Sequence, residues 1–95
     1  MYEFTEIDGE PKGDVKLFAL STCVWCRRTK RLLDSLGIGY RYIFMDLLDR
    51  ETRDEVEREV RRYNPRCSFP TLVIDDKRTI VGFQEEEIGE AFENA

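Results

Sequence analysis

The sequence predicts an α/β fold with elements in the order β-α-β-α-β-β-α, a four-stranded mixed sheet flanked by helices. Three observations predict it. Short β-branched and aromatic runs alternate with longer stretches of helical period. The first β-α-β unit implies a parallel pair, because a right-handed helical crossover returns the chain in the same direction. The last two strands are close enough to form an antiparallel hairpin. Ninety-five residues make one domain, since so short a chain has no room for two cores.

Val15-Lys16-Leu17-Phe18-Ala19-Leu20 is the first β-type run, and Ser21-Thr22 is expected to cap the helix that follows. In that helix Thr29, Leu32, Leu33 and Leu36 recur at helical spacing, Arg27, Arg28, Lys30 and Arg31 take the wet side, and Gly37 is the stop. Tyr40 to Met45 reads as the second strand. From Asp49 to Tyr63 a narrow stripe of Thr52, Val56, Val60 and Tyr63 marks a surface helix, with Asp54/Arg58 and Glu57/Arg61 in favourable i,i+4 order. Asn64-Pro65-Arg66 breaks it. Thr71 to Asp75, a turn at Asp76-Lys77 and Arg78 to Val81 form the hairpin, Gly82 ends it, and Gln84 to Glu93 is the closing helix with Ile88, Ala91 and Phe92 on one face. Residues 1–13 read either as an added edge strand or as a tail, and 14–95 as the domain proper.

A hydrophobic share of 41%, a charged share of 37% and a net charge of −5 describe a globular chain and not a disordered one. The acidic balance argues against nucleic acid as partner. Charge is uneven: residues 17–66 carry a net +3, and residues 67–95 a net −5. No run approaches a membrane span, and the acidic start is unlike a signal peptide, so a cytoplasmic location is expected. Three cysteines do not build a secreted disulfide framework. The absence of histidine removes Cys-His nucleophiles, imidazole zinc sites and histidine bases together.

Cys23-Val24-Trp25-Cys26, where a strand meets a helix, carries the chemistry. On a first helical turn the two sulfurs approach within disulfide reach, and free N–H groups at the positive end of the helix dipole stabilise a thiolate at Cys23. Arg27 and Lys30 add positive charge nearby. Cys23 is then the attacking thiol and Cys26 the resolving one. The competing readings are an inert pair or half of a zinc site, but only Cys67 remains to complete the latter. Trp25 reads either as packing or as part of a contact surface.

Cys23-Val24-Trp25-Cys26 after a strand, Thr29-Lys30 along the helix, Phe69-Pro70 opening a later strand and Gly82-Phe83 before the last helix together resemble the glutaredoxins, within the thioredoxin fold. The match covers roughly residues 15–93. It implies a cis Phe69–Pro70 bond facing the disulfide, where the backbone of Phe69 pairs with a bound peptide or thiol. It also implies a substrate surface made of Trp25, Phe69, Pro70, Gly82 and Phe83. Several positions depart from the family: Val24-Trp25 replaces Pro-Tyr, Ser68-Phe69-Pro70 replaces Thr-Val-Pro, and Leu20-Ser21-Thr22 lacks a lysine. The acidic run Glu85-Glu86-Glu87 repels the carboxylates of glutathione. Gly82-Phe83-Gln84 followed by acids is similar to the NrdH-type redoxins, which serve ribonucleotide reductase, although Ile80-Val81 stand where that group has Trp-Ser.

The resulting expectation is a monomeric thiol–disulfide oxidoreductase acting on protein or small disulfides, ribonucleotide reductase among the candidate partners. It needs no cofactor within the chain and is reset by a thioredoxin-reductase-type, ferredoxin-linked or glutathione-based system. The alternative is a metallo-carrier in which two chains share an iron–sulfur cluster or zinc through Cys23, Cys26 or Cys67. Cys67 reads as a second resolving thiol, a metal ligand or a small semi-buried residue near the active-site mouth.

Overall fold

The computed structural model describes residues 2–93, so the outermost ends of the two predicted stretches, residues 1 and 94–95, lie outside the described residues. The elements are β1 (Thr5–Ile7), β2 (Val15–Ala19), α1 (Val24–Ser35), β3 (Tyr40–Phe44), a 3₁₀ turn (Met45–Leu47), α2 (Arg50–Tyr63), β4 (Thr71–Ile74), β5 (Arg78–Val81) and α3 (Glu85–Glu93). Strand order is β1-β3-β2-β4-β5. The β2/β3 pair is parallel, as the crossover through α1 requires, and the other pairs are antiparallel.

The sheet has five strands where the sequence predicts four. The addition is β1, which pairs antiparallel with β3 in the register Thr5/Tyr42 to Ile7/Tyr40. Phe4, just before it, meets Phe18 edge-on at 5.6 Å and lies under the Arg41 guanidinium at 5.0 Å. The alternation of Tyr2, Phe4 and Glu6 is too short to mark a strand alone; docking onto β3 supplies the missing order. Beyond β1 the chain is strapped to the α1–β3 loop by Glu10 N–H to Gly37 C=O (2.8 Å) and Gly39 N–H to Glu10 C=O (2.9 Å). Gly9 has to be glycine, because a Cβ there would stand 2.3 Å from the Ile38 carbonyl carbon. Gly9→Ala is therefore expected to lower the melting temperature by roughly 5–15 °C, the shift that about 1–2 kcal/mol produces in so small a domain. An unchanged thermal melt would mean that the strap opens without loss.

β2 is the centre of the molecule, and all five of its residues are buried. Period-2 alternation splits them between two cores. Val15, Leu17 and Ala19 join Leu33 of α1 and Ile88 and Phe92 of α3. Phe18 joins Ile43, Val73 and the stripe Val56 and Val60 of α2. Thus α1 and α3 cover one face and α2 the other. Lys16 also points to the α2 side, where its buried ammonium lies 3.0 Å from Asp76 and 3.3 Å from Glu59. Hydrogen bonds from Lys16 and from the Tyr63 hydroxyl hold the Asp76 carboxyl below its usual range, while burial pushes that of Glu59 up. Asp76 is accordingly the closer charge partner, and Glu59 is only partly compensated for leaving water.

The loop of the terminal hairpin is longer than predicted. Ile74 pairs with Arg78, leaving Asp75, Asp76 and Lys77 in the loop, with Asp75 and Asp76 at φ 55° and 56°. Short acidic side chains tolerate this left-handed region better than most.

Candidate active site

The turn between β2 and α1 places the cysteine pair. Cys23 is itself the N-cap of α1: its Sγ accepts the Cys26 N–H at 3.2 Å, and its carbonyl accepts the Arg27 N–H at 3.0 Å. The sequence predicts Ser21-Thr22 as the cap. Ser21 is occupied elsewhere, since the Asp46 carboxylate accepts both its backbone N–H (2.8 Å) and its hydroxyl. Those two bonds hold the Asp46 carboxyl below the usual carboxylate range and anchor the pre-cysteine turn to the 3₁₀ turn. The cap therefore shifts to a sulfur, which is a weaker acceptor as a thiol and a much better one as a thiolate.

Cys26 lies one turn inward and is 1% exposed. Burial, followed by its hydrogen-bonding relation to Cys23, pushes its thiol from 9.0 up to about 12, against a lowering contribution from the Leu20 N–H, 3.5 Å from Sγ. The two sulfurs thus have different surroundings: Cys23 is half-buried and donor-facing, and Cys26 is covered and protonated at neutral pH. Lys30, expected to face the thiolate, instead pairs with Asp34 at 3.4 Å and lies 4.9 Å from the Tyr42 ring centroid. Arg27 is exposed on α1. Arg28, which is not among the predicted site residues, sits 4.9 Å from the Trp25 ring centroid.

Beside the pair, Trp25, Phe69, Pro70, Gly82 and Phe83 together line a groove of about 250 Å³. Trp25 is 53% exposed and stacks on Phe83, with centroids 6.1 Å apart and planes 24° apart. That arrangement favours the contact-surface reading of Trp25. The Phe69–Pro70 bond is cis, as the resemblance implied. Gly82 N–H donates to Pro70 C=O at 2.9 Å, joining two of the residues that line the groove. Its φ of +82° demands glycine, although a Cβ would find space, the nearest atom being Gln84 Nε2 at 3.7 Å. Phe83 also borders a depression lined by Gln84, Glu85, Glu86, Glu87 and Glu90.

Cys67 is outside this groove. It packs with the α2-side core and lines a separate cavity of about 310 Å³ with Leu20, Asp46, Arg53, Glu57 and Phe69. Cys23 and Cys26 pack with the core on the α1/α3 side, and Phe69 touches both cores. The active-site mouth and Cys67 are thus neighbours across Phe69 rather than members of one cluster. Burial, with the Glu57 charge behind it, raises the Cys67 thiol. Among the described residues no three Cys, Asp or Glu side chains converge as a metal would need.

An oxidisable dithiol capping a helix, on a mixed sheet with helices on both faces, defines a redox protein of thioredoxin fold. The glutaredoxin family model matches residues 15–79, and the chain belongs to the glutaredoxin family. It is similar to the glutaredoxin of Methanosarcina mazei Go1, whose crystal structure superposes with a TM-score of 0.87 at 45% identity over 94% of this chain and 86% of that one. Methanoredoxin of Methanosarcina acetivorans gives 0.86 at 45% identity, covering 88% of each chain. A glutaredoxin-like 8.6 kDa protein from the rubredoxin operon of Clostridium pasteurianum is 31% identical over 81 residues, spanning 83% of this chain and 97% of its own length. Family and fold carry a thiol–disulfide oxidoreductase role, that of a redox enzyme or electron carrier.

Proposed function

We propose that the chain reduces disulfides of proteins or small molecules through Cys23 and Cys26, with Cys23 as nucleophile. The observation that carries this is the asymmetry of the pair: Cys23 Sγ accepts a backbone N–H at the start of α1, while Cys26 is covered. A substrate disulfide lying in the groove of Trp25, Phe69, Pro70, Gly82 and Phe83 is attacked by the Cys23 thiolate. One substrate sulfur leaves as thiolate, and a mixed disulfide to Cys23 remains. Burial, the main cause of the raised Cys26 thiol, persists in this adduct, while the smaller effects of a free Cys23 thiol beside it are removed. Cys26 loses its proton to the departing thiolate or to solvent and attacks Cys23 Sγ. The second substrate thiolate is released, two electrons have passed to the substrate, and Cys23–Cys26 is oxidised.

No cofactor is needed within the chain for these steps, but an external reductant must return two electrons. Glutathione fits poorly beside Glu85, Glu86 and Glu87, which border Phe83 and repel its carboxylates. A dedicated flavin- or ferredoxin-linked disulfide reductase is the reading favoured by that charge. Offering glutathione with glutathione reductase and a thioredoxin-reductase-type donor side by side tests it; turnover with glutathione alone would reverse the preference. The groove itself is tested by Trp25→Ala. Losing the exposed indole is expected to raise KM for a protein disulfide by about tenfold, within the range for an aromatic anchor, while Cys23 still alkylates at the wild-type rate. Unchanged KM would remove Trp25 from the substrate surface.

A further inference from the structure

We infer that Asn64 is a positioning residue for the substrate groove, acting through the loop between α2 and β4 and not through either cysteine of the pair. The inference rests on the disulfide-reductase reading for its kinetic half and on the fold alone for its structural half. Asn64 caps the C-terminus of α2, is 5% exposed, and donates its own N–H to Val60 C=O at 2.8 Å. Its backbone carbonyl accepts the Cys67 N–H, also at 2.8 Å. Its carboxamide Nδ2 has three acceptors in reach: Ser68 C=O at 3.2 Å, Ser68 Oγ at 3.1 Å and Thr71 Oγ1 at 3.0 Å. The Thr71 hydroxyl, fully buried at the first residue of β4, donates in turn to Ser68 C=O at 2.7 Å.

One side chain thus ties the end of a helix, the middle of a loop and the start of a strand. The residues held between those ties are Phe69 and Pro70, two of the five that line the groove. Arg61 Nη1 to Pro65 C=O at 2.7 Å and Gly82 N–H to Pro70 C=O at 2.9 Å hold the two ends of the loop, and Phe69 rests on both cores. Among the side-chain hydrogen bonds, those of the Asn64 carboxamide and of the Thr71 hydroxyl it contacts are the ones that reach the middle of the loop at Ser68. Pro65, Arg66 and Ser68 are exposed, and Cys67 and Phe69 are only half-buried. The elements on either side are held by apolar packing at Val56, Val60 and Val73. Loss of the carboxamide therefore leaves the cores in place and loosens the loop, because buried Thr71 Oγ1 and the Ser68 hydroxyl lose their donor and Ser68 C=O is left with the Thr71 hydroxyl alone. Freedom at Phe69–Pro70 blurs the wall against which a substrate is aligned, and alignment enters KM for a large partner before it enters the chemistry at Cys23.

The test compares Asn64→Ala, Thr71→Val and Thr71→Ser in the full chain, with insulin as the disulfide probe. Asn64→Ala and Thr71→Val are expected to raise KM about tenfold with kcat within about twofold, the signature of lost binding alignment. Thr71→Ser, which keeps the hydroxyl, should match wild type. Iodoacetamide alkylation of Cys23, which needs no groove, should be unchanged. Amide hydrogen exchange should accelerate by about tenfold or more in residues 65–71 with α1 and β2 unaffected. Exchange rising evenly along the chain, KM unmoved in a folded variant, or alkylation falling together with binding would each overturn the positioning role. If the wild type alkylates at Cys23 yet reduces neither insulin nor a small disulfide, the functional reading fails; loop-confined exchange would then still support the tether, and uniform exchange would still refute it.

Discussion

Cys23→Ser is expected to lower kcat/KM for disulfide reduction by on the order of 10³-fold or more, the scale for loss of a covalent nucleophile, and to leave the fold intact. The second half of that outcome comes from the geometry. Position 23 is the N-cap of α1, where a side-chain acceptor already takes the Cys26 N–H at 3.2 Å. A serine oxygen is a preferred cap, so the helix start is kept or slightly strengthened. What disappears is an ionisable sulfur able to attack another sulfur. Cys26→Ser should behave differently: attack at Cys23 proceeds and the cycle stops at the mixed disulfide, which accumulates as a covalent adduct visible by intact mass. Wild-type turnover by Cys23→Ser would remove Cys23 as the nucleophile, and an adduct that accumulates on Cys26 in Cys23→Ser with none on Cys23 in Cys26→Ser would invert the assignment of the two thiols.

The parts of the site legible in the sequence are those set by local spacing. C-x-x-C between a β run and a helical stripe, Phe69-Pro70 at a strand start and Gly82-Phe83 before the last helix were all readable, and the structure gathers the aromatic and proline members into one groove. What escaped depends on partners far away in sequence. Ser21 looks like a cap until Asp46, 25 residues on, takes its hydroxyl and N–H. Asn64 reads only as a helix breaker, because its acceptors lie in the loop and in the next strand. Lys16 counts as one more charge in the composition, yet it is 6% exposed and held by acids from α2 and the hairpin loop. β1 spans only three residues, too few to show a period, and it exists as a strand because β3 offers an edge. In each case a polar or marginal residue acquires its role from a surface that only the folded chain assembles.

The same contrast between local motif and folded surroundings governs the reduced protein in alkali. Burial pushes the Cys26 thiol from 9.0 up to about 12, and the thiol form is the one the fold prefers. Above pH 9 the unfolded chain gives up this proton while the folded chain keeps it. The unfolded state then binds fewer protons, and stability falls as pH rises, by at most about 1.4 kcal/mol per pH unit. Below pH 9 the contribution is fully present; by about pH 12 it is lost. Tyr40 and Tyr63 are raised by burial as well and destabilise in the same direction, so the measurement has to be a difference. Denaturant melts of the reduced wild type and of Cys26→Ala at pH 8, 9, 10 and 11 should diverge. The wild type is expected to lose about 2 kcal/mol more than the variant between pH 9 and 11, less than the ceiling because at pH 9 the unfolded thiol is only half ionised. In the oxidised protein, which has no Cys26 thiol to titrate, this loss should likewise be absent. Parallel curves for wild type and Cys26→Ala would place the Cys26 sulfur in contact with water. That would not by itself exchange the roles of the two cysteines, because a thiol of ordinary pKa is also mostly protonated at neutral pH; what sets the order of attack is access, Cys23 being half-buried and Cys26 covered.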